Sequence, residues 1–293
     1  MTELELLGSF ASHKQITKGW SDDKKYCVIK DDGTKYLLRI IPAARYNGRE
    51  PLFAMLSQVA ALGIPMCLPL DFGTWKGGVF SLQSWIEGAD LEDALPKLST
   101  AESYELGLES GEIARKIHSL PAPKTQEEWA SRFNSKIDRT IAAYEKSGLH
   151  FEGDRRIIDY IQQNRHLLNN RPQSFQHGDY HIGNMMLEKG RLVIIDFDRC
   201  DFGDPWEEFN RIVWSAQACP HFATGQLNGY FGAKPPLEFF QLLALYISNN
   251  TLVSFPWSIQ FGQSEIDTMT KQSQDILSWY DNMKNPIPTW YIS

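Results

Sequence analysis

The stretch Gln176-His177-Gly178-Asp179-Tyr180-His181-Ile182-Gly183-Asn184 sets a carboxylate and an amide on one short loop. The apolar run Leu192 to Ile195 then leads into Asp196-Phe197-Asp198. These residue types suit one kind of chemistry. A carboxylate can take the proton of an attacking hydroxyl. An amide oxygen and a second carboxylate are the hard ligands that a magnesium ion prefers. Together they describe metal-assisted phosphoryl transfer, in which the triphosphate and the metal carry most of the reactivity and the protein positions and neutralises. Asp179 is then the candidate base, with Asn184 and Asp196 as candidate magnesium ligands. Asp196 emerges at the carboxyl end of a run long enough for a short buried strand, where sheet-based sites usually lie. Gly178 and Gly183 permit a sharp backbone path around the acid.

Four residues separate Asp179 from Asn184, the D-x-x-x-x-N spacing of the protein-kinase catalytic loop. On His177-Gly178-Asp179, Asn184 and Ile195-Asp196-Phe197-Asp198, the chain resembles the aminoglycoside phosphotransferase family of protein-kinase-like small-molecule kinases. The resemblance implies an α+β, bilobal protein-kinase-like fold. A nucleotide-binding lobe over residues 1–87 would hold an antiparallel sheet and one helix. A larger, mostly helical lobe over 88–293 would carry catalysis and the substrate, with a helical insertion at roughly 125–170. It also implies Mg2+, ATP or GTP as donor, and a small-molecule hydroxyl as acceptor, with cationic acceptors such as aminoglycosides among those that relatives use. Two rivals stand beside this reading. One is a catalytically weak or inactive nucleotide-binding relative. The other is a metal-dependent phosphoesterase, which needs more His and Asp ligands than the chain offers, since His221 is the only histidine downstream of the stretch.

The elements that must position these groups are legible as patterns. Residues 2–11 read as a short helix, 26–30 and 36–41 as strands across the turn Asp31-Asp32-Gly33-Thr34, and 51–62 as a helix. Residues 67–75 and 79–85 read as a second hairpin. Long helical patterns follow over 99–120, 125–147, 152–168, 206–218, 237–249 and 264–283. By the resemblance, Ser21 in Thr17-Lys18-Gly19-Trp20-Ser21-Asp22 donates to a phosphate, although a single glycine there also suits an ordinary turn. Arg39 takes the place of the strand lysine against the phosphates, with a planar fork instead of a point charge; the other reading is a strand arginine facing solvent. Either Glu50, which precedes Pro51, reaches Arg39 from the helix start, or the usual cation–Glu pair is missing or rearranged. Backbone groups of Ser84 to Ile86 would hydrogen-bond the purine. His118, His177 and His181 are expected to shape and brace the loop.

Lys plus Arg number 29 and Asp plus Glu 36, a net charge of −7 that argues against nucleic acid as the main partner. Phe197 to Asn210 holds Asp198, Asp201, Asp204, Glu207 and Glu208 against Arg199 alone. Asp198, Glu207 and Glu208 are therefore candidate contacts to a cationic substrate. The same acids also suit a solvated helix start near Pro205, and Asp198 could ligate metal or brace the loop. Four scattered cysteines without a C-x-x-C pair suggest reduced thiols. No signal-peptide pattern or membrane-spanning run is visible, so a cytoplasmic protein is expected.

Overall fold

The computed structural model of the chain describes residues 3–17, 23–42, 49–75 and 77–292. Ser21 therefore lies outside the described residues. The chain forms two compact units, one of Met1–Ala89 with Met186–Ile195, the other of Asp90–Met185 with Asp196–Ser293.

The first unit begins with helix α1 (Glu3–Leu7) and strand β1 (Ser12–Ile16). The expected helix over 2–11 stops at Leu7, residues 8–11 turn, and an unexpected edge strand with mostly exposed side chains follows from Ser12. Strands β2 (Lys24–Ile29) and β3 (Lys35–Pro42) are followed by helix α2 (Arg49–Ala61), β4 (Pro69–Trp75) and β5 (Gly78–Ser84). They form one antiparallel sheet in the order β1-β2-β3-β5-β4. Alternation places Tyr26, Val28, Leu38, Ile40 and Leu82 on a buried face with Leu6 and Leu7 of α1. Helix α2 meets β4 through the Phe53–Phe72 ring pair, 5.5 Å apart. The two-residue strand β6 (Ala89–Asp90) precedes the second unit.

In the second unit a capping box closes the start of α4. The Ser99 hydroxyl accepts from the Glu102 N–H, and the Glu102 carboxylate accepts from the Ser99 N–H. The helices here are α3 (Leu91–Ala94), α4 (Thr100–Ile117), α5 (Trp129–Ser147) and α6 (Asp154–Asn164). Strand β7 (Ser174–Gln176) leads into the loop of His177 to Asn184. The hairpin of β8 (Met185–Glu188) and β9 (Arg191–Ile194) follows, and its residues from Met186 on belong to the first unit, a stretch expected to lie with the second. Ile194 donates to the Pro65 carbonyl, which ties the hairpin to the chain before β4. Strand β10 (Asp201–Gly203), helices α7 (Ile212–Ala218) and α8 (Pro220–Phe231), the buried α9 (Leu237–Ser258) and α10 (Gln263–Trp279) complete the unit.

Helix α8 escapes the periodicity reading because its contact with α4 is made by glycines. A Cβ on Gly111 would lie 2.1 Å from the Gln226 carbonyl, and one on Gly225 would lie 2.3 Å from that of Tyr104. The backbones touch directly, so the seam carries no apolar stripe. Among the described residues no helix is long and apolar enough to cross a membrane.

Candidate active site

The loop after β7 is held from below by one buried carboxylate. Glu208, 1% exposed, accepts from the His177 N–H at 2.5 Å and the Gly178 N–H at 2.9 Å. His118 at the end of α4 stands 3.4 Å from the same carboxylate and 3.0 Å from the Tyr230 hydroxyl. Strand β10 pairs antiparallel with β7, Asp201 opposite Gln176. This ribbon ties the start of the loop to the segment that follows Asp196. Gly178 has φ +79°, and a Cβ there would lie 2.0 Å from the Arg199 carbonyl, so no side chain fits. Tyr180 is fully buried and donates to the Ser110 carbonyl of α4 at 2.7 Å.

On that frame Asp179 and Asn184 meet. The Asn184 amide donates through Nδ2 to the backbone carbonyl of Asp179 at 2.8 Å. Its Oδ1 takes no part in that bond and can serve as a metal ligand. The Asp179 carboxylate, 18% exposed, lies 3.4 Å from Arg211 Nε and 3.8 Å from Arg199 Nε. His181 Nε2 is 3.6 Å from it. Burial pulls His181 down to about 4, against the opposing pull of Asp179, so the ring is neutral near pH 7. Its Nδ1 accepts from the Gly183 N–H at 3.1 Å, which leaves the ring proton on Nε2, facing Asp179. Burial also lowers Arg211, with the Asp179 carboxylate opposing it. His177 is buried against the rings of Tyr180 and Phe197.

Asp196 is the second residue past the hairpin and adopts a left-handed conformation, φ 64° and ψ 62°. Asp tolerates that region better than most residues, and strained backbone of this kind concentrates at functional positions. Asp198 sits partly buried in the single turn of Phe197–Arg199. Among the described residues no three His, Cys, Asp or Glu side chains gather as a complete metal cage. One amide and one carboxylate oxygen are what magnesium needs when phosphate oxygens and water fill the remaining positions, so these residues fit the ion.

The other predicted residues are placed as follows. In the first unit Arg39 is 4% exposed, which rules out the solvent-facing alternative. It pairs with Asp23 at 3.1 Å and not with Glu50, which is exposed at the start of α2. The Ser84 N–H donates to the Leu68 carbonyl, so that group is already used, while Ile86 lies past the end of β5 with no hydrogen bond of its own among the described residues.

The acidic run of 198–208 does not form an open anionic face. Glu208 is the loop anchor and is shielded from solvent. Asp204 is buried, accepting from Arg171 and the Tyr246 hydroxyl. Asp201 pairs with Arg132 and Glu207 with Lys136, each at 3.1 Å. The expectation of Glu208 as a substrate contact is thereby corrected: its two oxygens are engaged by backbone N–H groups inside the fold.

Beside the loop lies a cavity of about 570 Å³ within the second unit, walled by α5, α9 and residues 199–211. Sequence reasoning read the Trp129, Phe133, Ile137 stripe of α5 as core and passed over its polar edge. Arg132, Lys136 and Arg139, four and three residues apart, line the cavity together with Arg199 and Arg211. Their helical spacing was the available signal.

The sequence profile of the phosphotransferase enzyme family matches residues 12–240. A search of curated protein sequences gave no match. Among solved structures, a thermostable variant of the aminoglycoside phosphotransferase APH(4)-Ia, in a ternary complex with ADP and hygromycin B, superposes with a TM-score of 0.68 at 17% identity, covering 94% of this chain and 96% of that one. A choline/ethanolamine kinase family protein from Mesorhizobium loti gives 0.66 at 17% identity, over 96% and 93%. Amicoumacin kinase hAmiN, in complex with AMP-PNP, Ca2+ and Ami, gives 0.64 at 14% identity, over 94% and 90%. At these identities the structural likeness establishes the fold, and the profile match over most of the length establishes the rest: the chain belongs to the phosphotransferase enzyme family and is a small-molecule kinase of protein-kinase-like fold.

Proposed function

We propose that the chain transfers the γ-phosphoryl group of ATP or GTP to a hydroxyl of a small molecule, with Asp179 as the base. The observation that carries this reading is the joined pair on the loop, in which Asn184 fastens through its Nδ2 to the backbone of Asp179 and keeps its oxygen out of that bond. Asp179 orients the acceptor hydroxyl and takes its proton as the phosphoryl group departs the donor. The Arg211 guanidinium, 3.4 Å away, holds its carboxylate in place, while Arg199 stands farther off at 3.8 Å and half exposed. Asn184 and Asp196 are the residues that would hold Mg2+, which neutralises charge on the phosphates when bound. Arg39, kept rigid by Asp23, is the candidate cation for the donor phosphates. The unused backbone groups of Ile86 are the candidate purine contact. Glu208 and His118 position the loop and touch no substrate.

The test is magnesium-dependent release of ADP or GDP against a panel of hydroxyl acceptors, with Asp179→Asn as control. Turnover that falls by about two to four decades in the control supports the assignment. Unchanged turnover in Asp179→Asn refutes it.

A further inference from the structure

The cavity beside the loop has the wrong charge for a polycation. Five cationic side chains line it against three carboxylates, Glu127, Asp201 and Glu207. Two of those carboxylates are already matched, Asp201 by Arg132 and Glu207 by Lys136. Arg211 is matched by Asp179. Two cations are left over against one carboxylate, Glu127, which is exposed and has only the Ser131 hydroxyl as a donor among the described residues. Arg199 is half exposed and lies 3.8 Å from Asp179, a carboxylate that Arg211 approaches more closely. Arg139 is exposed and has no ionic partner among the described residues; its neighbour Asp138 is taken by Arg165 at 2.6 Å. The remaining wall asks for other chemistry. Trp129, Phe133 and Tyr246 offer ring surface. Asn249 lines the cavity at 2% exposure, and its Oδ1 has no donor among the described residues. A buried acceptor without a partner is costly, and a ligand hydroxyl would satisfy it.

From this we infer that the acceptor is a hydroxylated small molecule carrying an anionic group, a carboxylate or a phosphate, seated in this cavity against Arg139 and Arg199. The inference rests on the phosphotransferase reading for the word acceptor, but the binding preference stands on the cavity alone. About 570 Å³ suits a molecule of one or two rings. A planar guanidinium fork matches either anion bidentately. A ligand with several ammonium groups would meet Arg139 and Arg199 with Glu127 alone unmatched to receive it.

Equilibrium binding separates this inference from the catalytic one. The full-length protein, without nucleotide, is titrated by calorimetry with gluconate, glucose 6-phosphate, glucose and the polycation kanamycin. Gluconate or glucose 6-phosphate is expected to bind at least about tenfold more tightly than glucose or kanamycin, as one added charge pair in a partly dry site allows. Which of the two anions binds decides between carboxylate and phosphate. Arg139→Glu, an exposed position whose change leaves the fold intact, is expected to weaken that anion by about tenfold or more and to improve kanamycin. Tighter binding of kanamycin, failure of both anions to bind, or an Arg139→Glu protein with unchanged anion affinity would each overturn the inference. Because no nucleotide is present, a failed kinase assay leaves these outcomes readable, and a cation-preferring kinase would sink only this inference.

Discussion

The most informative single substitution is Glu208→Gln. In the native chain both carboxylate oxygens of Glu208 are filled by the N–H groups of His177 and Gly178, in a position 1% exposed. Hydrogen bonds to a charged acceptor contribute about 1.5–3 kcal/mol each, and a stranded buried N–H costs about 1–3 kcal/mol. Glutamine has nearly the same shape, but only one of its two terminal atoms accepts. One loop N–H keeps its partner and the other meets an NH2 donor, so the expected loss is about 2–3 kcal/mol. For a unit of this size that lowers the melting transition by about 4–12 °C. The loop carries Asp179 one residue further on, and a misplacement near 1 Å costs about a hundredfold in rate. Turnover should therefore fall by about one to two decades even where the folded fraction is complete.

Glu207→Gln is the internal control. Glu207 is 12% exposed against a 45% exposed Lys136, and glutamine keeps one oxygen for Gln176 Nε2, so the change should cost about 1 kcal/mol, less than at Glu208. Calorimetric melting of the two variants, followed by turnover measured 15 °C below the lower transition, tests the comparison; the temperature offset is a roughly chosen margin against unfolding. A Glu208→Gln protein that melts with Glu207→Gln and turns over within about twofold of the native rate would refute the anchoring role.

Three further outcomes follow from the same geometry. The pKa of His181 is pulled down to about 4 by burial, below its unfolded value near 6.5. The unfolded chain then binds more protons between those values, so this contribution to stability is complete above about pH 6.5 and is lost as pH falls toward 4. His181→Gln should flatten that acid limb in denaturant titrations at pH 7 and pH 5, and an unchanged pH slope would reject the assignment. Gly111→Ala forces a Cβ to 2.1 Å from the Gln226 carbonyl and should cost at least about 1–3 kcal/mol by parting α4 from α8, read as a lower urea midpoint. Ser110 sits on that seam, with Gln226 Nε2 donating to its hydroxyl and Tyr180 to its carbonyl. Ser110→Ala keeps the carbonyl contact but strands the buried Gln226 Nε2, so it should cost about 1–3 kcal/mol and leave turnover near native, whereas Tyr180→Phe should lower turnover.

Much of the fold was legible because its signals are local. A D-D-G-T turn between two alternating runs yields the β2–β3 hairpin, and Ser99 with Glu102 marks a helix start that the structure reproduces bond for bond. The loop pair was legible for the same reason, since Asp179 and Asn184 are close in sequence and one hydrogen bond joins them. What escaped depends on contacts distant in sequence. The first predicted helix ends at Leu7, and β1 follows from Ser12 because β2 supplies a strand partner, Ser12 opposite Ile29. Helix α8 was silent because glycine-to-backbone contact with α4 leaves no hydrophobic period. The Arg39–Asp23 pair replaces the expected helix acid with a residue at the foot of a neighbouring strand, and no spacing rule looks there.

The acidic run shows why charge along a chain differs from charge at a surface. Counted in sequence, five acids against one base between 197 and 210 suggest a field for cations. In the folded chain Asp204 and Glu208 face inward, where a bidentate arginine and two backbone N–H groups satisfy them. Asp201 faces outward and Glu207 is mostly covered, and they meet Arg132 and Lys136, residues some seventy positions earlier. Burying a carboxylate is tolerable only when it is filled in this way, and each acid that fills its own oxygens removes itself from the field a ligand sees. The cations of α5 outlast that cancellation because α5 brings three of them to one edge at helical spacing, while the acids opposite bring two. The sign of the cavity is thus set by which residues the helix and the loop place face to face, and a net charge of −7 for the whole chain is compatible with a positive cavity inside it.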